Sequence, residues 1–412
     1  MSSPPQALTL KDVFRQRPFR RLWLAQFVSI FGDFLALFGV ISLITFRLHG
    51  TPFQVIAVTL AFALPMAIVA PPAGVLVDHW NVKRVMIASD LIRGLLVLLL
   101  VFVTDVRQIC AIFAVLSTVS SFFSPAQSVT LRTLVPREGL LAANALMSQA
   151  FYVVRLLSPA LAGVLVTWLS EKSCFYLDSA SFFFSAAMLS TLLIARPTHD
   201  REKTLKALTN DFVAGNKFIF THRELTFVFV AMAVAMFVLS SFSPLISIYI
   251  RDSLSGSSFW FGIISSTVGV GLIAGTQLVT RLARNFEKHF VVLAGLLCLG
   301  LGAALLGLFR DIPMAAVSTF FMGFAIAFVL VPAQTLSQQE TPHDMMGRVS
   351  STFISMISLA QAMGLLLSGY LAQVLGIRQL FIASAGLLAV LAGGGFLMVR
   401  DRGSEVTKAA AS

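Results

Sequence analysis

Phe290-Val-Val-Leu-Ala-Gly-Leu-Leu-Cys-Leu-Gly-Leu-Gly-Ala-Ala-Leu-Leu-Gly-Leu-Phe309 runs for twenty residues without a charge or a proline. As a helix it rises about 30 Å, the thickness of a bilayer's hydrocarbon core. Outward from this stretch the pattern recurs. Apolar runs, parted by charges or by Gly, Pro and polar clusters, fall at 22–47, 53–77, 84–104, 108–130, 142–169, 174–195, 225–249, 258–280, 289–309, 313–335, 347–374 and 379–399. In hydrocarbon every backbone amide must be satisfied internally, so runs of this length are helices. A strand barrel would show ten-residue alternations instead. Composition agrees: 57 % of the 412 residues are apolar, 12 % are charged and mean hydropathy is +0.87. A soluble domain carries about 25 % charge. A soluble enzyme, a disordered chain and a disulfide scaffold are thereby excluded, and the expected class is an all-α polytopic membrane protein with twelve transmembrane helices.

The net charge is +11, and its distribution gives the reason. With the N-terminus inside, 22 of the 30 Lys and Arg fall in inner loops and tails and 6 in outer loops, while Arg93 and Arg155 lie within spans. Positive residues stay on the cytoplasmic side, so both termini are expected in the cytoplasm of a bacterial-type inner membrane. Attraction to anionic membrane lipids accounts for the basic balance without nucleic acid. Residues 1–21 read as a polar cytoplasmic tail, followed by an apolar run too long for a signal peptide. Cys110, Cys174 and Cys298 are too few and scattered for a metal cluster, and a Cys110–Cys174 bridge stays open. No His-Glu-x-x-His, Gly-x-Ser-x-Gly or phosphate-loop pattern occurs. The expectation is a non-enzyme with no metal, no cofactor and no ATP site, working as a monomer.

The most polar stretch, 196–224, lies midway and divides 22–195 from 225–399, leaving 400–412 as a cytoplasmic tail. The two sides echo each other. Ser124-Pro-Ala-Gln127 returns as Val331-Pro-Ala-Gln334 at an offset of 207, and Val135-Pro136 as Thr341-Pro342 at 206. Ser158 and Gly163 align with Gly364 and Gly369, again at 206. Two pseudo-symmetric six-helix bundles with matched helix breakers are the organisation of a secondary transporter, whose site is expected where the halves meet.

Gly74-Val-Leu-Val-Asp78-His-Trp-Asn-Val-Lys83-Arg84 lies between the second and third spans. It resembles the loop signature of the major facilitator superfamily, Gly-x-x-x-Asp-Arg/Lys-x-Gly-Arg-Arg/Lys, with His79 and Asn81 departing from it. Within that superfamily the chain is similar to the drug:proton antiporters that include macrolide-efflux proteins. The resemblance is carried by Phe19-Arg-Arg-Leu-Trp23, Gly32-Asp33, Asp90-Leu-Ile-Arg93, Phe123-Ser-Pro-Ala126, Asp178-Ser-Ala-Ser-Phe182 and Gly347-Arg-Val349. Arg155-Leu-Leu-Ser-Pro159-Ala-Leu-Ala-Gly163 is close to the antiporter motif Gly-Pro-x-x-Gly-Gly, with Ser158, Pro159 and Gly163 in matching places. The resemblance implies export of a hydrophobic or amphipathic small molecule against protons by alternating access. Siderophore exporters, lysophospholipid carriers and an uncoupled facilitator stay open as alternatives. It also implies a gating loop and latch built from Gly74, Asp78, Lys83, Arg84, Asp90, Arg93 and Arg348, with Asp78 as gate acid and Arg84 as its partner.

A charge at mid-bilayer costs about 2.5–3.5 kcal/mol on insertion scales, so each one inside a span is a functional hypothesis. Asp33 lies about 16 Å and Arg155 about 20 Å from the inner ends of their spans at 1.5 Å per residue. They are expected to face each other or share the central cavity, either as a fixed ion pair or in proton coupling. Coupling needs a carboxyl that gains and loses a proton, and Asp33 is the candidate. Asp178, about four residues inside its span, is expected to satisfy an outer helix end. Phe38, Tyr152 and Phe242 are the expected aromatic lining of the cargo cavity, where stacking and cation–π contact would hold bulky cations.

Overall fold

The computed structural model describes residues 8–194, 217–221, 223–282, 287–342 and 345–410. Among the described residues every regular element is helical. The chain divides into two compact units, 1–50 with 57–202 and 51–56 with 203–412. Most of the expected linker at 196–224 lies outside the described residues.

The first unit opens with α1 (Leu10–Arg15), a single polar turn started by Thr9. Thr9 and Asp12 cap each other, and the Thr9 hydroxyl and backbone hold the Asp12 carboxyl below its ordinary range. Six long helices follow: α2 (Arg17–Ser42), α3 (Pro52–His79), α4 (Val82–Leu99), α5 (Val106–Leu134), α6 (Leu140–Trp168) and α7 (Glu171–Ser190). α2 ends in a π-helical turn, Leu43–Arg47, which brings Arg47 within 3.5 Å of Glu171 at the start of α7.

The second unit holds α8 (Arg223–Phe242), α9 (Leu245–Leu254), α10 (Ser258–Leu282), α11 (Lys288–Leu308), α12 (Ile312–Glu340), α13 (Met346–Leu375) and α14 (Ile377–Ala410). The expected seventh span, 225–249, is therefore two helices. Pro244 has no N–H to donate and caps α9 instead of continuing α8. α14 runs past the expected boundary at 399, so the start of the tail is helical.

The repeat is regular at the level of helix starts. α8, α10, α11, α12, α13 and α14 begin 206 residues after α2, α3, α4, α5, α6 and α7 respectively. Ten helices among the described residues are long and apolar enough to cross a membrane. The two long helices outside that set are α4 and α7. α4 carries Lys83, Arg84, Asp90 and Arg93, and α7 carries Glu171, Lys172, Asp178 and a serine series. Elsewhere large apolar side chains face outward, such as Leu297, Leu301 and Leu308 on α11 and Leu366, Leu367 and Tyr370 on α13. That surface suits hydrocarbon rather than water.

Candidate functional site

The charge-bearing helices α4 and α7 pack on each other, and α2 packs on α7. Ser179 on α7 donates to the Gly94 carbonyl of α4 at 2.9 Å. On α2 the approach to α7 is so close that a Cβ at Gly32 would collide with Asp178 Oδ1 and Ser181 Oγ. Glycine at this position leaves room for the Asp178 and Ser181 side chains against α2.

Four charged groups converge there. Asp90 and Arg93, one helical turn apart, are 0 % and 4 % exposed and form an ion pair from Arg93 Nη2 to Asp90 Oδ1. The guanidinium carbon lies 4.4 Å from the Phe123 ring centroid of α5 and 4.3 Å from that of Phe182 on α7. Two aromatic faces thus hold the cation in place through their ring quadrupoles. Asp33 is partly buried, and its charged neighbours are Arg93 and Asp90. Asp178 is 1 % exposed, and its charged neighbours are Asp33, Arg93 and Asp90. Ser181 donates to the Asp178 backbone carbonyl at 2.7 Å and to Oδ1 at 3.2 Å. Ser185 stands by Asp90 without reaching hydrogen-bond geometry, and Asp90 Oδ2 and Arg93 Nε have no partner in that interior.

This arrangement corrects several expectations. Asp33 and Arg155 form no ion pair. Arg155 is exposed on α6 with Tyr152 as its electrostatic neighbour, whereas Asp33 joins the α4 and α7 charges. Asp90 and Arg93 lie in this interior cluster rather than with the loop bases. Asp178 does not close a helix end, because α7 starts at Glu171 and leaves it about two turns inside. Phe38 and Phe242 are buried in helix packing, Phe242 with its centroid 4.6 Å from Phe381, so neither lines open space. Tyr152 is half exposed. Cys110 and Cys174 are free thiols.

In the loop, Lys83 Nζ donates to the carbonyls of Ser190 at 2.6 Å and Leu192 at 2.7 Å, closing the C-terminal end of α7. Arg21 of α2 adds a contact to the Thr191 carbonyl at 3.3 Å. Cations at a helix C-terminus satisfy its orphan carbonyls. Asn81, a departure from the signature, is the N-cap of α4 and accepts from the Arg84 amide at 3.2 Å. Arg84 is exposed and Gly74 borders open space. The side chains of Asp78 and Arg348 lie outside the described residues. In α6, Ser158 is buried with its hydroxyl unpartnered, followed by Pro159 and a buried Gly163.

Asp178 was the group sequence reasoning underrated. Its signal is the spacing Asp178, Ser181, Ser185, which puts three polar groups on one face of a helix inside an apolar span.

Comparison with known proteins bears on what such a helix set does. A family model described as Major Facilitator Superfamily matches residues 22–351 and, in a second match, 228–412. An uncharacterized MFS-type transporter of Bacillus subtilis, YfiS, is 29 % identical over 391 residues, covering 92 % of this chain and 93 % of the relative. Macrolide efflux protein A of Streptococcus pyogenes is 24 % identical over 386 residues, covering 91 % and 94 %. The multidrug efflux pump Tap of Mycolicibacterium fortuitum is 24 % identical over 348 residues, covering 81 % and 84 %. Among solved structures, the nucleoside transporter NupG superposes with a TM-score of 0.73 at 13 % identity, covering 93 % of this chain and 99 % of that one. A bacterial homolog of the human lysosomal transporter Spinster gives 0.72 at 14 % identity, covering 93 % and 98 %.

Proposed function

The chain belongs to the Major Facilitator Superfamily, and from that premise we propose that it is a proton-coupled exporter of hydrophobic or amphipathic small molecules. Similarity along nearly the whole chain to a macrolide efflux protein and a multidrug efflux pump supports the cargo class. The observation that carries the coupling is Asp33, a partly buried carboxyl in an apolar span with Arg93 and Asp90 as charged neighbours. A membrane protein keeps such a group where it does work. Arg155 is exposed at similar depth, and a guanidinium, which keeps its charge, is costly against lipid, which supports its facing a water-filled cavity. Phe34, Phe151 and Tyr152 form an edge-to-face series at 5.7 and 5.9 Å beside it, a surface that stacks on bulky cargo. Proton entry from outside drives export by alternating access, with Gly74, Asp78 and Arg84 serving the gate. The Lys and Arg bias supports cytoplasmic termini, and an inner membrane is the location that goes with this reading.

The test uses everted membrane vesicles with an inside-acid gradient. Macrolides, amphipathic cations, lysophospholipids and siderophores are added in turn, and luminal proton loss is followed. Release evoked by macrolides or amphipathic cations is the expected result. Release evoked only by a lysophospholipid or siderophore overturns the cargo class. Silence across the panel from folded protein overturns the antiport reading.

A further inference from the structure

Counting charge in the first unit's interior leaves an imbalance. Three carboxyls, Asp33, Asp90 and Asp178, surround one guanidinium, Arg93. Asp90 takes that cation in a direct ion pair, and the rings of Phe123 and Phe182 fix it there. Among the described residues neither Asp33 nor Asp178 is in an ion pair. α6 also packs on α2, but the electrostatic neighbour of its Arg155 is Tyr152, not either acid. α5 contributes the Phe123 ring. Arg93 is near both acids but is engaged by Asp90, and two further ionised carboxylates around that one engaged cation are not sustained in such an interior. Ser181 gives Asp178 Oδ1 one hydrogen bond at 3.2 Å, and Arg93 Nε is a buried donor without a partner, but a single guanidinium still stands against three carboxyls.

Geometry brings the two acids to one place. The Asp178 carboxyl oxygen lies against Gly32, one residue from Asp33, where a Cβ would collide with it. Asp178 is 1 % exposed while Asp33 is partly exposed, so one member is sealed and the other reachable. Among the described residues no group of three or more His, Cys, Asp or Glu is arranged to hold a metal ion. A proton needs only one carboxyl oxygen.

We propose that Asp33 and Asp178 together hold one proton, which makes Asp178 a second proton-carrying group of the transport cycle. The exchange balances: an O–H bond breaks at one carboxyl, another forms at the other, and the pair keeps a single negative charge. Asp33 exchanges the proton with water, and Asp178 stores it out of water's reach. Only the role in transport rests on the antiport reading; the shared proton does not.

The test is an infrared pH titration of the full-length protein in proteoliposomes without cargo, following the C=O stretch of a protonated carboxylic acid. Wild type, Asp33→Asn, Asp178→Asn and Asp178→Glu are compared, each checked for folding by its monodisperse elution. The expected result is a titrating band in wild type whose midpoint moves by about one pH unit or more in each asparagine variant, the mark of interacting sites. Asp178→Glu keeps the band at a moved midpoint, which covers the case in which the asparagine variant fails to fold. A midpoint unchanged by either Asp178 substitution overturns the pair, as does a band absent from wild type or one answering to sodium instead of pH. Silent vesicles with the paired titration intact would instead refute antiport alone.

Discussion

The two units share one helical plan and differ in what fills it. At the repeat's offset, Asp33 corresponds to Leu239, Asp90 to Leu296, Arg93 to Leu299, Arg155 to Gln361 and Asp178 to Ser384. Burial is kept while charge is not: Leu296 and Leu299 are 1 % and 0 % exposed, like Asp90 and Arg93, and Leu239 is partly buried, like Asp33. Among the described residues the buried polar groups of the second unit are hydroxyls, such as Thr319, which meets Thr267 at 2.6 Å. That unit closes on small residues. A Cβ at Gly323 would collide with the Val268 carbonyl, and one at Gly271 with that of Phe320, so α10 and α12 cross at backbone contact. The second unit builds the same helix packing with leucine where the first has ions. The ions are therefore not required by the shared helix plan, and the proposed proton coupling gives them a use.

The largest expected effect comes from making the first unit resemble the second by halves. Arg93→Leu strands a buried carboxylate and should cost about 3–5 kcal/mol of stability, read as a lowered melting temperature in detergent. Asp90→Leu with Arg93→Leu, copying Leu296 and Leu299, should recover most of that loss, since apolar replacements of buried pairs are often neutral or better. The double variant is also expected to lose cargo-evoked proton release. A double variant that is less stable than Arg93→Leu alone would break the comparison.

Next in size is overpacking in the second unit. Gly271→Val drives a side chain into the Phe320 carbonyl and should destabilise by about 1–3 kcal/mol in the same melting assay. Lys83→Ala removes the two carbonyl contacts at the end of α7 and should cost about 0.5–1.5 kcal/mol. Smallest is Gly74→Ala, where a Cβ meets nothing within 4 Å. Its melting temperature should stay at or above wild type, as alanine favours a helix by about 1 kcal/mol over glycine. A transport defect in that stable variant would locate the signature glycine's value in movement rather than packing.

The architecture was legible because apolar length and Lys/Arg bias are one-dimensional signals. The runs at 22–47 and 289–309 announce α2 and α11 without any knowledge of neighbours. The break at Ser243-Pro244 was written in the sequence as well, but the apolar run on both sides masked it. The site was legible only in part. Asp33 stands out by depth along its own helix. Its partners do not, because which face of α2 meets α7 is set by Gly32, a residue whose role is visible only once the helices are packed. Equal depth suggested Arg155, but depth fixes one coordinate and leaves rotation about the helix axis free. Phe38 and Phe242 failed as cavity residues for the same reason: aromatic character says nothing about which side of a helix is filled.

The most direct measurement sets the matched positions of the two units against each other. Cargo-evoked proton release is recorded in everted vesicles for wild type, Asp33→Asn and Leu239→Asn at equal amounts of folded protein. The expected result is release abolished by Asp33→Asn and retained by Leu239→Asn. Full release from Asp33→Asn would contradict the assignment of proton coupling to the charged interior of the first unit.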